Sequence, residues 1–331
     1  MASNCPWWHR KVGIFSSVVT ALAVLGGAAL YIYDAYDDRQ YERSISDLCE
    51  GTLDHSELKE LLGGGRLRPL LSSSTHCSVG ASGSRKDYLS VDIKQRERVH
   101  DLLISQNKQN YRHPMVSPVG NGWAAFMTTS EGSSYADAYM SCGKATSEAI
   151  VVSAQLNGRP SAALNSEERT KLAGTAVGTL IKVAKKEGCG GKPRGNTITG
   201  VPRDSTKVLK QAGKAVGTCR GIDSPSYESA ADDTTPIENC VLTDGSGKGK
   251  FRLTAYYGPY VQSARHDIGF PSPDRNHRAT ATCPSGDAFY VMDRLYDGSR
   301  PVPPEPALET QAMKTFAANS AKRHGCSVPS S

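Results

Sequence analysis

The sequence carries one short motif twice. Residues 184–189 read Ala184-Lys185-Lys186-Glu187-Gly188-Cys189, and residues 321–326 read Ala321-Lys322-Arg323-His324-Gly325-Cys326. In both copies, apolar residues at helical spacing precede the motif, and a glycine stands at the position where helices commonly end. The motif therefore predicts two helices, each followed directly by a cysteine.

The two copies belong to a longer repeat that is marked by cysteines. Of the nine cysteines, Cys5 lies near the N-terminus, and the other eight fall into two ordered sets of four: Cys49, Cys77, Cys142 and Cys189, then Cys219, Cys240, Cys283 and Cys326. Each set opens with Cys-x-Gly and closes with Gly-Cys. The even number, and the lack of any Cys-x-x-Cys spacing in the sequence, predict disulfides of an oxidising compartment rather than zinc ligands.

The pairing of these cysteines follows from the expected order of elements. The first two cysteines of a set flank a short connection between a helix and a strand. The last helix must pack back on the sheet near the third cysteine in order to bury its apolar stripe. We therefore predict the bridges Cys49–Cys77, Cys142–Cys189, Cys219–Cys240 and Cys283–Cys326.

An uncharged segment near the N-terminus, Val12 to Tyr33, predicts a transmembrane helix. At ~1.5 Å per residue it reaches roughly 33 Å, enough to cross a bilayer core. Arg10 and Lys11 precede it and acidic residues follow from Asp34, so we expect a cytosolic N-terminus and a single pass through the plasma membrane. The alternative is a cleaved signal peptide, because Gly27-Ala28-Ala29 offers the small residues that signal peptidase accepts.

These features predict an α+β fold with a defined domain order. The N-terminal transmembrane helix precedes two tandem disulfide-stapled α/β sandwich repeats, each with an antiparallel sheet and helices. The expected segments are a cytosolic tail (1–11), the transmembrane helix (12–33), a juxtamembrane linker (34–43), repeat 1 (44–190), a linker (191–206) and repeat 2 (207–331).

Local patterns place the elements within each repeat. Helices are predicted at Ser56 to Leu62, after a capping Asp54, and after Asn165 and Pro306. The predicted strands of repeat 1 are Tyr88 to Lys94, Trp123 to Thr129, Tyr135 to Cys142 and Ile150 to Leu156. Those of repeat 2 are Phe251 to Tyr257, Arg278 to Cys283 and Ala288 to Leu295.

The Ala/Gly-rich anchor, the Cys-x-Gly openings and the Gly-Cys closings resemble uncharacterised single-pass membrane-anchored secreted proteins of actinomycete bacteria. The order helix, sheet, helix is also similar to the PsbP/Mog1-type sandwich. The resemblance implies an exported α+β fold. It offers no catalytic motif whose residues are carried over to this chain.

Motifs for specific chemistry are missing from the sequence. It contains no Gly-x-Ser-x-Gly elbow, no phosphate-binding loop and no His-Glu-x-x-His pair, so we predict neither a cofactor nor a metal, and the catalytic residues are unknown. The net charge of +6 is spread along the chain, which does not favour a nucleic-acid partner. The aromatic residues Phe251, Tyr256, Tyr257 and Tyr260 form a candidate binding patch, or else part of the second core.

These observations favour a non-catalytic binding or structural protein of the cell envelope, held at the outer face of the membrane. Its expected partners are the membrane and an envelope protein or cell-wall polymer. The alternative is an extracytoplasmic hydrolase with a site between the repeats. A pocket with perturbed carboxylates between the repeats would favour the enzyme.

Overall fold

The computed structural model describes residues 40–41, 43–81, 87–95, 115–130, 133–143, 149–158, 164–189, 195–202, 204–266, 277–297 and 300–330. Residues Leu48–Ser331 form one compact unit, distinct from Met1–Asp47. The predicted transmembrane segment, 12–33, and Cys5 lie outside the described residues. Among the helices that are described, none is both long and apolar enough to cross a membrane.

The N-terminal half, residues 48–189, is built on a seven-stranded antiparallel sheet. Its elements are α1 (His55–Leu61), β1 (Leu67–Ser72), β2 (His76–Ala81), β3 (Tyr88–Gln95), β4 (Val116–Pro118), β5 (Ala125–Ser130), β6 (Ser133–Ser141), β7 (Ala149–Asn157) and α2 (Ser166–Lys186). The strand order is β1-β2-β3-β7-β6-β5-β4. Asp54 caps α1 as predicted, and Asn165 with Glu168 forms the predicted capping box of α2.

The C-terminal half, residues 204–330, is built on a five-stranded antiparallel sheet. Its elements are β8 (Ser226–Glu228), β9 (Ile237–Thr243), β10 (Gly249–Tyr257), α3 (Pro259–His266), β11 (Arg278–Cys283), β12 (Gly286–Arg294), β13 (Tyr296–Asp297), β14 (Arg300–Pro301) and α4 (Pro306–Arg323). The sheet order is β11-β12-β10-β9-β8, and β13 and β14 form a separate small ribbon.

The two sheets share one strand order. Read from its β1 edge, the first sheet runs β1-β2-β3-β7-β6, and the second, read from its β8 edge, runs β8-β9-β10-β12-β11. The chain also visits these five positions in the same sequence in both sheets: the strand at the far end, β6 or β11, is formed before its inner neighbour, β7 or β12. The first sheet continues beyond this common part with β5 and β4.

The two long helices end in the same way. Gly188 and Gly325 have φ of +66° and +65°, which is the left-handed conformation that glycine adopts at low cost. The amide of Cys189 donates to the carbonyl of Ala184 at 2.9 Å, and the amide of Cys326 donates to that of Ala321 at the same distance. This is the Schellman arrangement, and it turns each cysteine back toward the sheet.

Four disulfides, two in each half, link elements of the same half. They join Cys49–Cys77, Cys142–Cys189, Cys219–Cys240 and Cys283–Cys326, with Cα–Cα distances of 5.7, 4.7, 5.2 and 3.9 Å. These are the four pairings predicted from the sequence. In both halves the last bridge ties the end of the long helix to the sheet.

Each long helix covers one face of its own sheet. The buried face of α2, which includes Leu172, Ala176 and Leu180, packs on β6 and β7. In the C-terminal half, Met313 and Phe316 of α4 belong to the core formed by the inward residues of β9, β10 and β12. Burial of these apolar stripes is the main term that holds helix to sheet.

Several strands of the structure were not predicted from the sequence, among them β1 and β9. Strand β1 contains Pro69 and lies at a sheet edge with an irregular register, so it lacks a clear alternating pattern. Strand β9 is buried at every position, which removes the alternation that marks a half-buried strand. The predicted linker is irregular where it is described, at 195–202, but the indole nitrogen of Trp123 donates to the Asn196 carbonyl at 2.6 Å.

Candidate functional site

The face of the seven-stranded sheet opposite α2 carries a row of mostly polar side chains. Residues directly opposite one another on neighbouring strands project from the same face. The register pairs His76 with Asp92, Asp92 with Ser153, Ser153 with Asp137, and Asp137 with Phe126. These five residues therefore form one row that crosses β2, β3, β7, β6 and β5, which we call the polar row.

The two ends of the polar row differ in exposure. At one end, His76 Nδ1 lies 2.6 Å from Asp92 Oδ1, and the two side chains are 39% and 43% exposed. Toward the other end, next to Phe126, Asp137 is 4% exposed. The row therefore runs from a half-exposed His76–Asp92 contact to a buried carboxyl group.

A second group of polar side chains lies on the same face. Gln155 Nε2 donates to the Tyr135 hydroxyl at 2.9 Å and to Asn157 Oδ1 at 2.6 Å. The Ser133 hydroxyl donates to the same Asn157 oxygen at 3.0 Å. All four side chains are half-buried, so these hydrogen bonds hold them in fixed orientations near the surface.

Asp137 has an unusual protonation state for an aspartate. Burial raises its pKa from the ordinary 3.8 to about 7. The hydrogen bond from Ser153 and the charge of Lys94 oppose this shift, whereas Asp92 adds to it. Asp137 thus exchanges its proton near neutral pH, which is a property of many general acids and bases.

The buried end of the polar row lies at the junction between the two halves. Tyr260, from α3, packs edge-on against the rings of Phe126 and Tyr139, with centroid distances of 5.5 and 6.2 Å. Val116, Val151 and Ile237 belong to the same apolar cluster. The Tyr260 hydroxyl is buried without a hydrogen-bond partner, and burial together with the charge of Asp137 raises its pKa.

Hydrogen bonds also cross the junction. The Val116 amide donates to Asn239 Oδ1 at 2.9 Å, and the Ser229 hydroxyl donates to the Val116 carbonyl at 2.7 Å. The Thr234 hydroxyl donates to the Trp123 carbonyl at 3.1 Å. Because the first two bonds are buried, the halves are joined by specific contacts and not only by the linker.

The aromatic residues predicted as a binding patch do not form an exposed surface. Phe251 and Tyr257 belong to the C-terminal core, and Tyr260 is buried at the junction. Tyr256 is half-buried and stacks on Phe289 at 6.5 Å. Because side chains alternate along β10, Phe251 and Tyr257 point to the core that α4 covers, and Tyr256 points to the opposite face of the sheet. The alternative interpretation, that these rings belong to the core, is correct for Phe251 and Tyr257.

The polar row was missed in the sequence because it depends on strand register. A signal for it exists in β7, where Ser153, Gln155 and Asn157 alternate with apolar residues. Nothing in the sequence states which residues of β3 and β6 lie opposite them. Among the residues that the structure describes, no group of three or more His, Cys, Asp or Glu side chains is arranged to hold a metal ion.

Comparisons with known proteins leave the family of this chain open. No protein-family model matches it, and no curated protein matches it. Among solved structures, the crystal structure of DynU16, a protein in the dynemicin biosynthetic locus, is 9% identical, with coverage of 85% of this chain and 92% of that one. Its TM-score is 0.14, so we draw no argument from this likeness.

Proposed function

We propose that this chain is a membrane-anchored, non-catalytic binding protein of the cell envelope. Residues 12–33 would hold it in the plasma membrane with the N-terminus in the cytosol. The disulfide-bonded halves would then lie outside the cytoplasm, where such bonds form and persist. This location agrees with the resemblance to membrane-anchored secreted proteins of actinomycetes.

The polar face of the first sheet is the observation that carries the binding role. Its half-exposed imidazole, carboxylate and amide groups, at His76, Asp92, Gln155 and Asn157, suit a partner rich in hydroxyl groups. The centres of protein–protein interfaces are more apolar and contain few charged groups. We therefore favour a cell-wall polymer over an envelope protein as the ligand.

The binding role is tested by sedimentation of the full chain, in detergent, with purified cell walls. Gln155→Ala and Asp92→Asn should each reduce the bound fraction several-fold. Lys314→Ala, an exposed position on the α4 side of the other half, should bind as the wild type does. Equal binding by all four proteins would refute the assignment of this face.

The alternative function, a hydrolase with a site between the halves, also has a supporting observation. Asp137 takes up a proton near pH 7, and Asp92 lies two strands away in the same row, so the pair offers an acid and a base. In the sedimentation assay, release of soluble wall fragments by the wild type but not by Asp137→Asn would favour this enzyme over the binding protein.

We further propose that the two halves are copies of one module, spanning 44–190 and 207–331. The shared strand order, the matched disulfides and the two identical helix ends support this duplication. Each half, expressed alone under oxidising conditions, should form its own two disulfides. Mispaired cysteines in both isolated halves would count against independent modules.

A further inference from the structure

A buried acid lies where the two halves meet. Asp137 is on β6 of the first sheet, and Phe126, its cross-strand neighbour on β5, contacts Tyr260 of α3. The charge of Asp137 acts on Tyr260, whose hydroxyl has no hydrogen-bond partner. A charged carboxylate at this place would be buried beside the apolar cluster that contains Phe126 and Tyr260, and burial of a charge without full compensation is costly.

The groups that face Asp137 determine how strongly its charge is opposed. Ser153, on β7, donates a hydrogen bond to it. Lys94 and Asp92, both on β3, act on it with opposite signs. On the side of the C-terminal half, Tyr260 interacts with the charge of Asp137; like any tyrosine it is uncharged near neutral pH, and its pKa is raised further. Burial outweighs the hydrogen bond from Ser153 and the charge of Lys94, so the neutral form of Asp137 is favoured below about pH 7.

We propose that Asp137 is a proton-controlled latch between the two halves: its neutral carboxyl group lets Tyr260 stay packed on the first sheet, and its ionisation favours their separation. Separation would hydrate both the carboxylate and the Tyr260 hydroxyl. The inference does not rest on the proposed binding function, because the latch acts on the contact between the halves whatever the polar face binds.

The direction of the pH effect follows from the two states of the junction. In the closed state the pKa of Asp137 is about 7, whereas a hydrated aspartate has a pKa near 3.8. The closed state therefore binds the proton more tightly. The equilibrium shifts away from the closed state as the pH rises from about 4 to about 7, and above that it no longer depends on the ionisation of Asp137. Each pKa unit corresponds to a tenfold change in the equilibrium, so we expect a change of tenfold or more.

The Val116 amide is a direct reporter of this equilibrium. It donates to Asn239 of the other half, so its hydrogen bond is broken when the halves separate. The Ile93 amide donates to Thr75 within the first half and serves as an internal control. Hydrogen–deuterium exchange of the full chain in detergent, resolved to single amides and divided by intrinsic rates, compares the two at pH 5 and pH 8.

In the wild type, exchange of Val116 should accelerate at least tenfold more than that of Ile93 between pH 5 and pH 8. In Asp137→Asn, which cannot ionise, this difference should vanish. In Ser153→Ala, the midpoint of the change should move to higher pH, because the hydrogen bond that lowers the pKa of Asp137 is lost.

Either of two outcomes would overturn the latch. One is an equal response of Val116 and Ile93 to pH in the wild type. The other is a pH response in Asp137→Asn that matches the wild type. If Asp137→Asn fails to form its four disulfides, Ser153→Ala serves as the test. The proposal is then refuted if the midpoint of the pH-dependent change in Val116 exchange is the same as in the wild type or lower.

Discussion

Glu238 is a fully buried carboxylate that ties β9 to the end of α4. It accepts from Arg323 Nε at 3.0 Å and Nη2 at 2.8 Å, and from the Ser320 hydroxyl at 2.6 Å. His324 Nε2 lies 3.3 Å from Oε1 of Glu238, the same oxygen that accepts from Arg323 Nε, and the His324 ring stacks on Tyr257. One acidic side chain thus organises the last turn of the helix beside the Cys283–Cys326 bridge.

The substitution Glu238→Gln keeps the volume of this side chain and removes its charge. Arg323 then faces an amide NH₂ group in place of one carboxylate oxygen, which puts donor against donor. Breaking a buried ion pair from one side costs about 3–5 kcal/mol. Because the Arg323 side chain is 20% exposed and keeps some hydration, we expect the lower end, about 3 kcal/mol. At roughly 2–4 °C per kcal/mol, the melting temperature should fall by roughly 6–12 °C.

Thermal unfolding of the oxidised protein, followed by circular dichroism, measures this loss. The matched control is Glu60→Gln, which removes an exposed carboxylate 3.0 Å from Lys171, while Lys171 keeps Glu167 as a partner. That change should cost less than about 0.5 kcal/mol. If both variants melt within about 2 °C of the wild type, the buried network around Glu238 adds no measurable stability, which contradicts the prediction.

The same network predicts a dependence on pH. Burial raises the pKa of Glu238, but the hydrogen bonds from His324 and Arg323 outweigh it, so the pKa lies below the ordinary 4.5. A carboxyl group whose pKa is lowered by folding stabilises the protein above its unfolded pKa, and this contribution is lost as the pH falls through the folded value. Stability of the wild type should therefore decline below about pH 4.5, and the decline should be smaller in Glu238→Gln.

Three further predictions concern backbone, bridges and topology. A Cβ at Gly217 would lie 2.2 Å from the Ser229 carbonyl oxygen, so Gly217→Ala should lower the free energy of unfolding by more than about 2 kcal/mol in denaturant titrations. The control Gly178→Ala, in an open position on α2, should raise it by about 0.5–1 kcal/mol. Replacing Cys283 and Cys326 together by serine should cost up to about 4 kcal/mol by the loop-entropy estimate, measured by melting with the other bridges intact. A reporter that is active only outside the cytoplasm, fused to the C-terminus, should be active, and an inactive but intact fusion would reverse the proposed orientation.

Local signals in the sequence were sufficient for several parts of the fold. The long helices α2 and α4, their glycine ends and the cap of α1 depend on residues within one or two turns, so they were predicted from short stretches. The four disulfides were also predicted, because the repeat of the cysteines limited the pairings and the order of elements chose among them. These features need only the chain order and the rule that apolar stripes are buried.

Register and docking could be decided only by the tertiary structure. The row from His76 to Asp137 exists because of how four strands align, and a shift of one residue would turn each side chain to the other face. The burial of Tyr260 and the raised pKa of Asp137 arise where residues far apart in the sequence meet at the junction. The sequence thus determined which helices form and which cysteines pair, since both follow from local pattern and order, whereas the candidate site required the three-dimensional contacts between strands and between halves.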